Sequence, residues 1–500
     1  MDRVFELEEE VQQLKETVVS HAVVDQAIGV MVAPGRVTPD QGWTVRSAPN
    51  SKTPSTATAP PRYRAPRPDT SSRVPVRTHT LPNRSQAAIS DHVGEYEERA
   101  AQVDAARAPG ATVTSGDAAL SELVARSHRV SAGEIPSLVE AAGRDVGLSG
   151  ARVYLVDLQQ SRLVALPADA APDGGATLDI DGSLAGLAYR TQETQRSRDG
   201  ATAWVPLIDG VERLGVLKAT APSMEGQLLE ASAALAGIVA LLVVSKSTYS
   251  EELITQERSR AMTIQAELLW AFMPPRTIGT RQVTSSALLE PAYDAGGDAF
   301  DHSLTDNVLH LSLLDAMGHD LASGGASAAA LAASRATRRD GGTLTEIATT
   351  IDETLNMWIP DRMMTAVIAR LDLTDGSLTW INCGHPTPLL IRDGHVLPQA
   401  LQRTPLPPLG LGLDTGNPPT EHHTRLQPGD RILLYSDGVI EARTTEGTLF
   451  GEQRLGDTVI RSMTSGDNAP ETLRRLLQNI HHDHQLRDDA TLLLAHWHPT

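Results

Sequence analysis

The feature that most constrains this chain is a series of aspartates in its second half, set beside strand-like runs and, for three of the four, next to glycine or another small residue. The first lies in Tyr293-Asp294-Ala295-Gly296-Gly297-Asp298-Ala299-Phe300-Asp301, which leads to a polar turn at Thr305-Asp306-Asn307. The chain returns through Val308-Leu309-His310-Leu311-Ser312-Leu313-Leu314 to Asp315-Ala316-Met317-Gly318-His319-Asp320. Two apolar stretches about a polar turn read as a β-hairpin. Centred on Asp306-Asn307, the hairpin sets Asp298 opposite Asp315 with Cβ atoms roughly 4.5 to 5.5 Å apart. A slip of one residue would turn either side chain to the other face. Two carboxylates that close repel one another unless cations hold them.

A third acid, Asp437, follows the buried-looking strand Arg431-Ile432-Leu433-Leu434-Tyr435, launched by the turn Pro428-Gly429-Asp430. The fourth, Asp488, stands with Asp489 at the mouth of the last strand, Thr491-Leu492-Leu493-Leu494-Ala495. Any one of these is also what an ordinary turn uses, because aspartate beside glycine suits turns; the set and its order carry the signal. Oxygen donors on several strands, with no cysteine and no paired histidines on a helix, favour a hard cation such as Mg²⁺ or Mn²⁺ over zinc. Two such ions about 3.5 to 4 Å apart suit an in-line displacement at phosphorus.

Length and charge bound the rest. A chain of 500 residues predicts roughly 2 to 4 domains. A net charge of −19 argues against a chain that coats nucleic acid, since such binding neutralises phosphates with Lys and Arg. The single cysteine, Cys383, excludes an intramolecular disulfide framework and fits a reducing, cytoplasmic setting. The opening Met1-Asp2-Arg3-Val4-Phe5-Glu6 lacks the apolar region of a secretory signal. The longest apolar run, 233–244, falls short of the roughly 20 residues that cross a bilayer, so no membrane span is expected.

Composition divides the chain into five segments. Residues 1–46 open with Leu7, Val11, Leu14 and Val18 at helical spacing, a short coiled-coil seam. Residues 47–117 read as a disordered Pro- and Arg-rich linker with a possible short helix. Residues 118–246 run helix, strand, strand, strands, helix, with a hairpin of Ala203-Trp204-Val205-Pro206-Leu207-Ile208 and Leu214-Gly215-Val216-Leu217-Lys218 about Asp209-Gly210-Val211-Glu212. Residues 247–275 predict one charged linker helix with Ile254, Ala261, Ile264, Leu268 and Phe272 near one face, ended by Met273-Pro274-Pro275. It is either a spacer or a signalling helix that pairs with its copy in a dimer. Residues 276–498 hold the aspartates.

The set GGDAFD, DAMGHD, NCGHPTPLL, YSDGVIEA and RDDATLL, over residues 281–497, resembles the metal-dependent (type 2C, PPM) protein phosphatases, and within them the sporulation stage II protein E branch. The resemblance implies an α+β multidomain chain whose C-terminal domain is an αββα sandwich of two antiparallel sheets. It places Asp298, Asp315, Asp437 and Asp488 on the family's catalytic metal-ligand aspartates and the backbone carbonyl of Ala316 on its carbonyl ligand. It further implies two divalent cations, Mn²⁺ or Mg²⁺, and a hydroxide bridging them that attacks a phosphoserine or phosphothreonine ester with no phospho-enzyme intermediate. The implied substrate is a phosphorylated anti-sigma-factor antagonist.

The motifs depart from the family where Ala299 precedes Phe300 and where Asp320 follows His319. His319 and Asp320 read as local structure rather than as a metal pair, and His385 belongs to a family motif of uncertain role. Cys383 reads as a buried, inert thiol. His481, His482 and His484 read as a polar loop, and Gly324-Gly325 as part of a helix packed closely on the sheet.

The phrase WVPLIDGVERLGVLKA and the order of elements around it resemble a GAF sensory domain, which implies a small-molecule ligand or dimerisation. His21-Ala22-Val23-Val24-Asp25-Gln26-Ala27-Ile28-Gly29-Val30-Met31 with Thr38-Pro39-Asp40-Gln41-Gly42-Trp43 resembles the first part of an RNA-binding ANTAR domain, truncated at the linker. A sensor-regulated phosphatase acting as a homodimer is the leading reading; an RNA-binding regulator and an inactive phosphatase-fold scaffold are the alternatives.

Overall fold

Alternating burial along the strands shows how the apolar pattern becomes layers. In the computed structural model, which describes residues 115–166, 177–413 and 418–498, the segment read as ANTAR-like and the linker as far as residue 114 lie outside the described residues. The described residues belong to one packed unit.

The first part of that unit runs α1 (Ser115–Ser127), α2 (Ile135–Asp145), β1 (Gly150–Val156), β2 (Arg162–Ala165), β3 (Thr177–Asp179), α3 (Leu184–Thr191), β4 (Gln195–Arg196), β5 (Thr202–Asp209), β6 (Glu212–Thr220) and α4 (Gln227–Ser247). Its strands form an antiparallel sheet in the order β3-β2-β1-β6-β5-β4. The expected hairpin is β5 with β6: Asp209 pairs with Glu212, and Gly210 takes the positive φ that the two-residue turn requires. Ala203, Val205 and Leu207 of β5 point into a core shared with Leu235, Val239 and Val243 of α4.

Two expectations are corrected here. The apolar run judged too short for a bilayer belongs to a helix of 21 residues with mean hydropathy 2.2, long and apolar enough to span by length and composition. One of its faces is committed to the sheet core, while Leu241 stands exposed. The single linker helix is two helices, α5 (Glu251–Glu257) and α6 (Ile264–Phe272). Between them the backbone turns to tertiary partners: the amide of Ser259 donates to the Tyr293 hydroxyl (2.9 Å) and that of Thr263 to the Tyr293 carbonyl (3.0 Å). Arg258 and Arg260 pair with Glu267 and Asp294. The face buried within the chain carries Leu253, Ala266 and Leu269, whereas Ile264 of the proposed seam is 45 % exposed. Met273 caps the second helix, as the following prolines require.

The remaining elements are β7 (Thr277–Gly279), β8 (Val283–Glu290), β9 (Asp298–Thr305), β10 (Val308–Ala316), α7 (Leu321–Arg339), α8 (Leu344–Trp358), β11 (Met364–Asp372), β12 (Ser377–Cys383), β13 (Leu389–Arg392), β14 (His395–Leu397), β15 (His422–Arg425), β16 (Arg431–Tyr435), α9 (Asp437–Glu441), α10 (Glu452–Thr464), α11 (Ala469–Asp483) and β17 (Ala490–Trp497). They form two antiparallel sheets, β15-β12-β11-β10-β9 and β14-β13-β16-β17-β8-β7. Along β17, Leu493 and Ala495 enter a core with β10, α7 and α8, while Leu492 and Leu494 enter a second core with α10 and α11. The six-stranded sheet is thereby buried on both faces, which gives helix, sheet, sheet, helix. His481 and His482 end α11 rather than forming a loop, because the apolar face of Leu473, Leu476, Leu477 and Ile480 carries the helix on to Asp483.

Candidate active site

The β9–β10 hairpin adopts the expected register. Thr305 pairs with Val308 about Asp306-Asn307, and Asp298 pairs with Asp315. Asp298 is 2 % exposed, and its carboxylate accepts a hydrogen bond from the Thr491 hydroxyl (2.6 Å). Asp315 is half-buried near the end of β10; Thr365, its neighbour on β11, donates to it at 3.4 Å and lies 2.7 Å from His385 Nδ1. Ala316 closes β10.

Asp437 and Asp488 arrive from the other sheet. Asp437 is the first residue of α9, directly after Ser436 and β16, and Asp488 lies in the turn just before β17. Both are exposed. The two segments touch at Gly438, where a Cβ would stand 2.0 Å from the carbonyl oxygen of Asp489, so only glycine lets α9 start there. The acids thus grade from a buried Asp298 to a solvent-facing Asp437 and Asp488.

Their electrostatics are those of an unneutralised cluster. Burial, with the charges of Asp315 and Asp489, pushes Asp298 well up. Burial, then Asp437, Asp488 and Asp489, pushes Asp315 up to about 7. Asp437 is raised by burial, Asp488 and Glu441. Among the described residues no lysine, arginine or histidine forms an ion pair with any of these acids. Buried acids nearby are treated differently: Asp301 holds Arg335 and Arg338, each at 2.8 Å, and Asp430 holds Arg392 at 2.6 Å. No three Asp, Glu, His or Cys side chains among the described residues stand ready in metal-ligating geometry. The donor chemistry nevertheless fits hard divalent ions: carboxylate oxygens on two sheets, with no sulfur donor among them.

Asp320 is taken up by local structure. Asp320 caps α7, accepting from the Ser323 amide and hydroxyl (both 2.9 Å) and from Arg362 (2.7 Å). His385 is buried, its imidazole pushed down to about 3 by burial. Cys383 is free and buried, with its thiol pushed up to about 12 by burial and Asp352. His484 packs edge-on against Phe450 and meets Arg454 at 2.9 Å. Sequence reasoning passed over Asp489, whose carboxylate gathers three backbone amides; its only signal was its place beside Asp488.

Two carboxylates facing each other in one antiparallel sheet, with two more at a helix start and a turn beside the second sheet, point to a class, and the family comparison agrees with it: residues 305–498 match the family model described as Stage II sporulation protein E (SpoIIE). This region, which carries Asp315, Asp437 and Asp488, is a PP2C-type serine/threonine phosphatase domain. The match covers this region, under half of the chain.

Protein IcfG of Synechocystis sp. is 26 % identical over 127 residues, 25 % of this chain and 19 % of that protein, so the match spans about a fifth of the curated relative. Among solved structures, the RsbU and RsbW domains of Rv1364c from Mycobacterium tuberculosis are similar at a TM-score of 0.38 and 23 % identity, over 45 % of this chain and 62 % of that one. The SiaA-PP2C domain of Pseudomonas aeruginosa is similar at a TM-score of 0.37 and 19 % identity, over 43 % and 85 %. The phosphatase domain and regulatory fragment of SpoIIE from Bacillus subtilis give 0.36 and 12 %, over 84 % and 100 %.

Proposed function

We propose that this chain is a metal-dependent protein phosphatase that removes phosphate from phosphoserine or phosphothreonine of a regulatory protein, under the control of its GAF-like region. The observation that carries the reading is Asp298 opposite Asp315, with Asp437 and Asp488 close by and no basic partner for any of them among the described residues. In this reading Asp298, Asp315, Asp437, Asp488 and the carbonyl of Ala316 hold two divalent cations, Mn²⁺ or Mg²⁺. Bound there, the ions would stabilise charge at phosphorus and lower the pKa of water. Thr491 orients Asp298 and Thr365 orients Asp315. The substrate class, a phosphorylated anti-sigma-factor antagonist, is supported by the SpoIIE family match over the catalytic region. A cytoplasmic location is part of the proposal, supported by a single, free and buried thiol. A homodimer is also part of it, supported by Leu241 of α4 and Tyr249 just beyond its end, which stand 62 % and 68 % exposed.

Control by the GAF-like region is supported by a buried contact. Glu471 of α11 is 2 % exposed and meets Arg213 of β6 (3.1 Å) and Arg474 (2.8 Å), while Arg474 reaches Asp181 before α3 (2.8 Å). Asn468, which caps α11, donates to the carbonyl of Arg190 (3.2 Å). The same helix leads directly into the turn bearing Asp488.

The test is hydrolysis of para-nitrophenyl phosphate and a phosphoserine peptide with Mn²⁺ or Mg²⁺, for the intact chain and for Asp315→Asn and Asp437→Asn. Chelator-sensitive turnover lost in both variants supports the reading. Turnover that survives either substitution unchanged, or no turnover with either metal and either substrate, sinks it.

A further inference from the structure

The segment from Gly296 to Asp298 is held by one side chain. The amides of Gly296, Gly297 and Asp298 all donate to the same carboxylate oxygen, Oδ2 of Asp489, at 2.8, 2.8 and 3.1 Å. Successive amides converging on one anion form a nest, here filled by the chain's own acid rather than by a ligand. Asp489 is 6 % exposed and has no ion-pair partner among the described residues. On its far side the segment is pressed against the turn after β10: a Cβ on Gly297 would lie 2.5 Å from the carbonyl oxygens of Ala316 and Gly318.

The backbone around Asp489 reaches the other ligand-bearing segments as well. Its carbonyl accepts from the Ser436 hydroxyl (3.2 Å), one residue before Asp437, and its amide donates to Asp488 Oδ1 (2.9 Å). The hydroxyl of Ser436 in turn accepts the amide of Thr491 (2.9 Å), whose own hydroxyl donates to Asp298 (2.6 Å).

We propose that Asp489 is a positioning residue of the phosphatase site: its carboxylate fixes where β9 begins, and so where Asp298 stands opposite Asp315. The inference rests on the phosphatase reading, but its first consequence concerns a loop and needs no catalysis. Asp489 acts here as a hydrogen-bond acceptor and not as one more metal ligand, and the two roles separate on substitution. Asparagine keeps one oxygen that can receive the three amides; alanine keeps none.

The experiment uses the full chain and three readouts: hydrogen exchange of the 296–298 amides without metal, Mn²⁺ affinity by calorimetry, and hydrolysis of para-nitrophenyl phosphate. Asp489→Ala is expected to speed exchange at those amides by about tenfold or more. It is expected to weaken Mn²⁺ binding by about 10- to 100-fold, as loss of a residue that orients a ligand does. Asp489→Asn should keep the protection and most of the affinity. If the alanine variant does not fold, Asp489→Ser replaces it, since a hydroxyl is too short to gather all three amides. The proposal is overturned if the alanine or serine variant leaves exchange and Mn²⁺ binding unchanged. It is equally overturned if Asp489→Asn keeps the loop protected yet abolishes Mn²⁺ binding as fully as Asp488→Asn, which would make Asp489 a ligand. Loss of loop protection in a protein that hydrolyses nothing would instead leave the positioning role standing and sink the phosphatase reading.

Discussion

Two acidic clusters in this protein are built on opposite principles. Around Glu471 the acid is surrounded by arginines: Arg213, Arg474 and Arg475 stand within 3.1 Å, and Arg190 at 3.8 Å. Burial by itself would raise Glu471, but the hydrogen bonds and charges of Arg474 and Arg213 hold it below its ordinary value. Around Asp298 and Asp315 several acids face one another with no cation from the described residues, and both are raised. The first cluster is complete and joins two parts of the fold. The second costs stability as it stands, which a protein tolerates where the missing positive charge arrives with function. Neutralising an acid should therefore have opposite consequences in the two places.

The largest effect is expected at the site. Asp315→Asn should lower kcat/KM by about a thousandfold or more, corresponding to several kcal/mol of lost charge stabilisation. The same substitution should leave chelator-treated protein at least as stable as the parent, by on the order of 1 kcal/mol, because it removes a repelled charge. Denaturant unfolding at neutral pH checks this; marked destabilisation without metal would mean that the cluster is not repulsive. At Glu471 the sign reverses. Glu471→Ala leaves Arg213 and Arg474 buried without their carboxylate and should cost about 3 to 5 kcal/mol. Changing Glu471, Arg213 and Arg474 together to methionine should recover most of that loss, and if it does not, packing rather than charge dominates the contact.

The pH dependence sharpens the contrast further. Asp315 has a folded pKa of about 7, above its unfolded value, so metal-free stability should rise as pH falls from 7 towards 4 on its account. His302 works against this. It is buried between Ser285 (2.9 Å) and the carbonyl of Pro275 (2.7 Å), and burial pushes it down to about 4. The unfolded chain takes up that proton first, so stability is lost from about pH 6.5 downwards, by about 1.4 kcal/mol per unit. A His302→Gln variant should show a flatter decline over that range, and equal slopes in both proteins would remove His302 as its cause. The smallest effect is expected for Asn468→Ala, which deletes the cap of α11 and its bond to the Arg190 carbonyl, at about 1 kcal/mol in thermal unfolding.

The parts of the site that were legible beforehand are those set by local pattern. The register of Asp298 against Asp315 followed from a polar turn of fixed length between two apolar runs, because a hairpin's pairing is dictated by its turn. Asp437 and Asp488 stood out in the sequence because Asp437 follows one apolar run and Asp488 precedes another. The helix break between Glu257 and Ile264 was not, since the local sequence is helical and the competing partner, Tyr293, lies some thirty residues away. Glu471 with Arg474 and Arg475 looks like an ordinary solvated helix face. It becomes a buried hub because Arg213, 258 positions earlier, is folded against it. Asp489 was noted only as the neighbour of Asp488, because the three amides it gathers lie more than 190 positions away.

From sequence alone came the two hairpins and the strands beside Asp437 and Asp488, because hydrophobic periodicity and turn chemistry act over a few residues. Tertiary structure alone decided which acids are left without a counter-charge and which are paired. Burial and charge pairing depend on residues that the chain brings together only after it has folded.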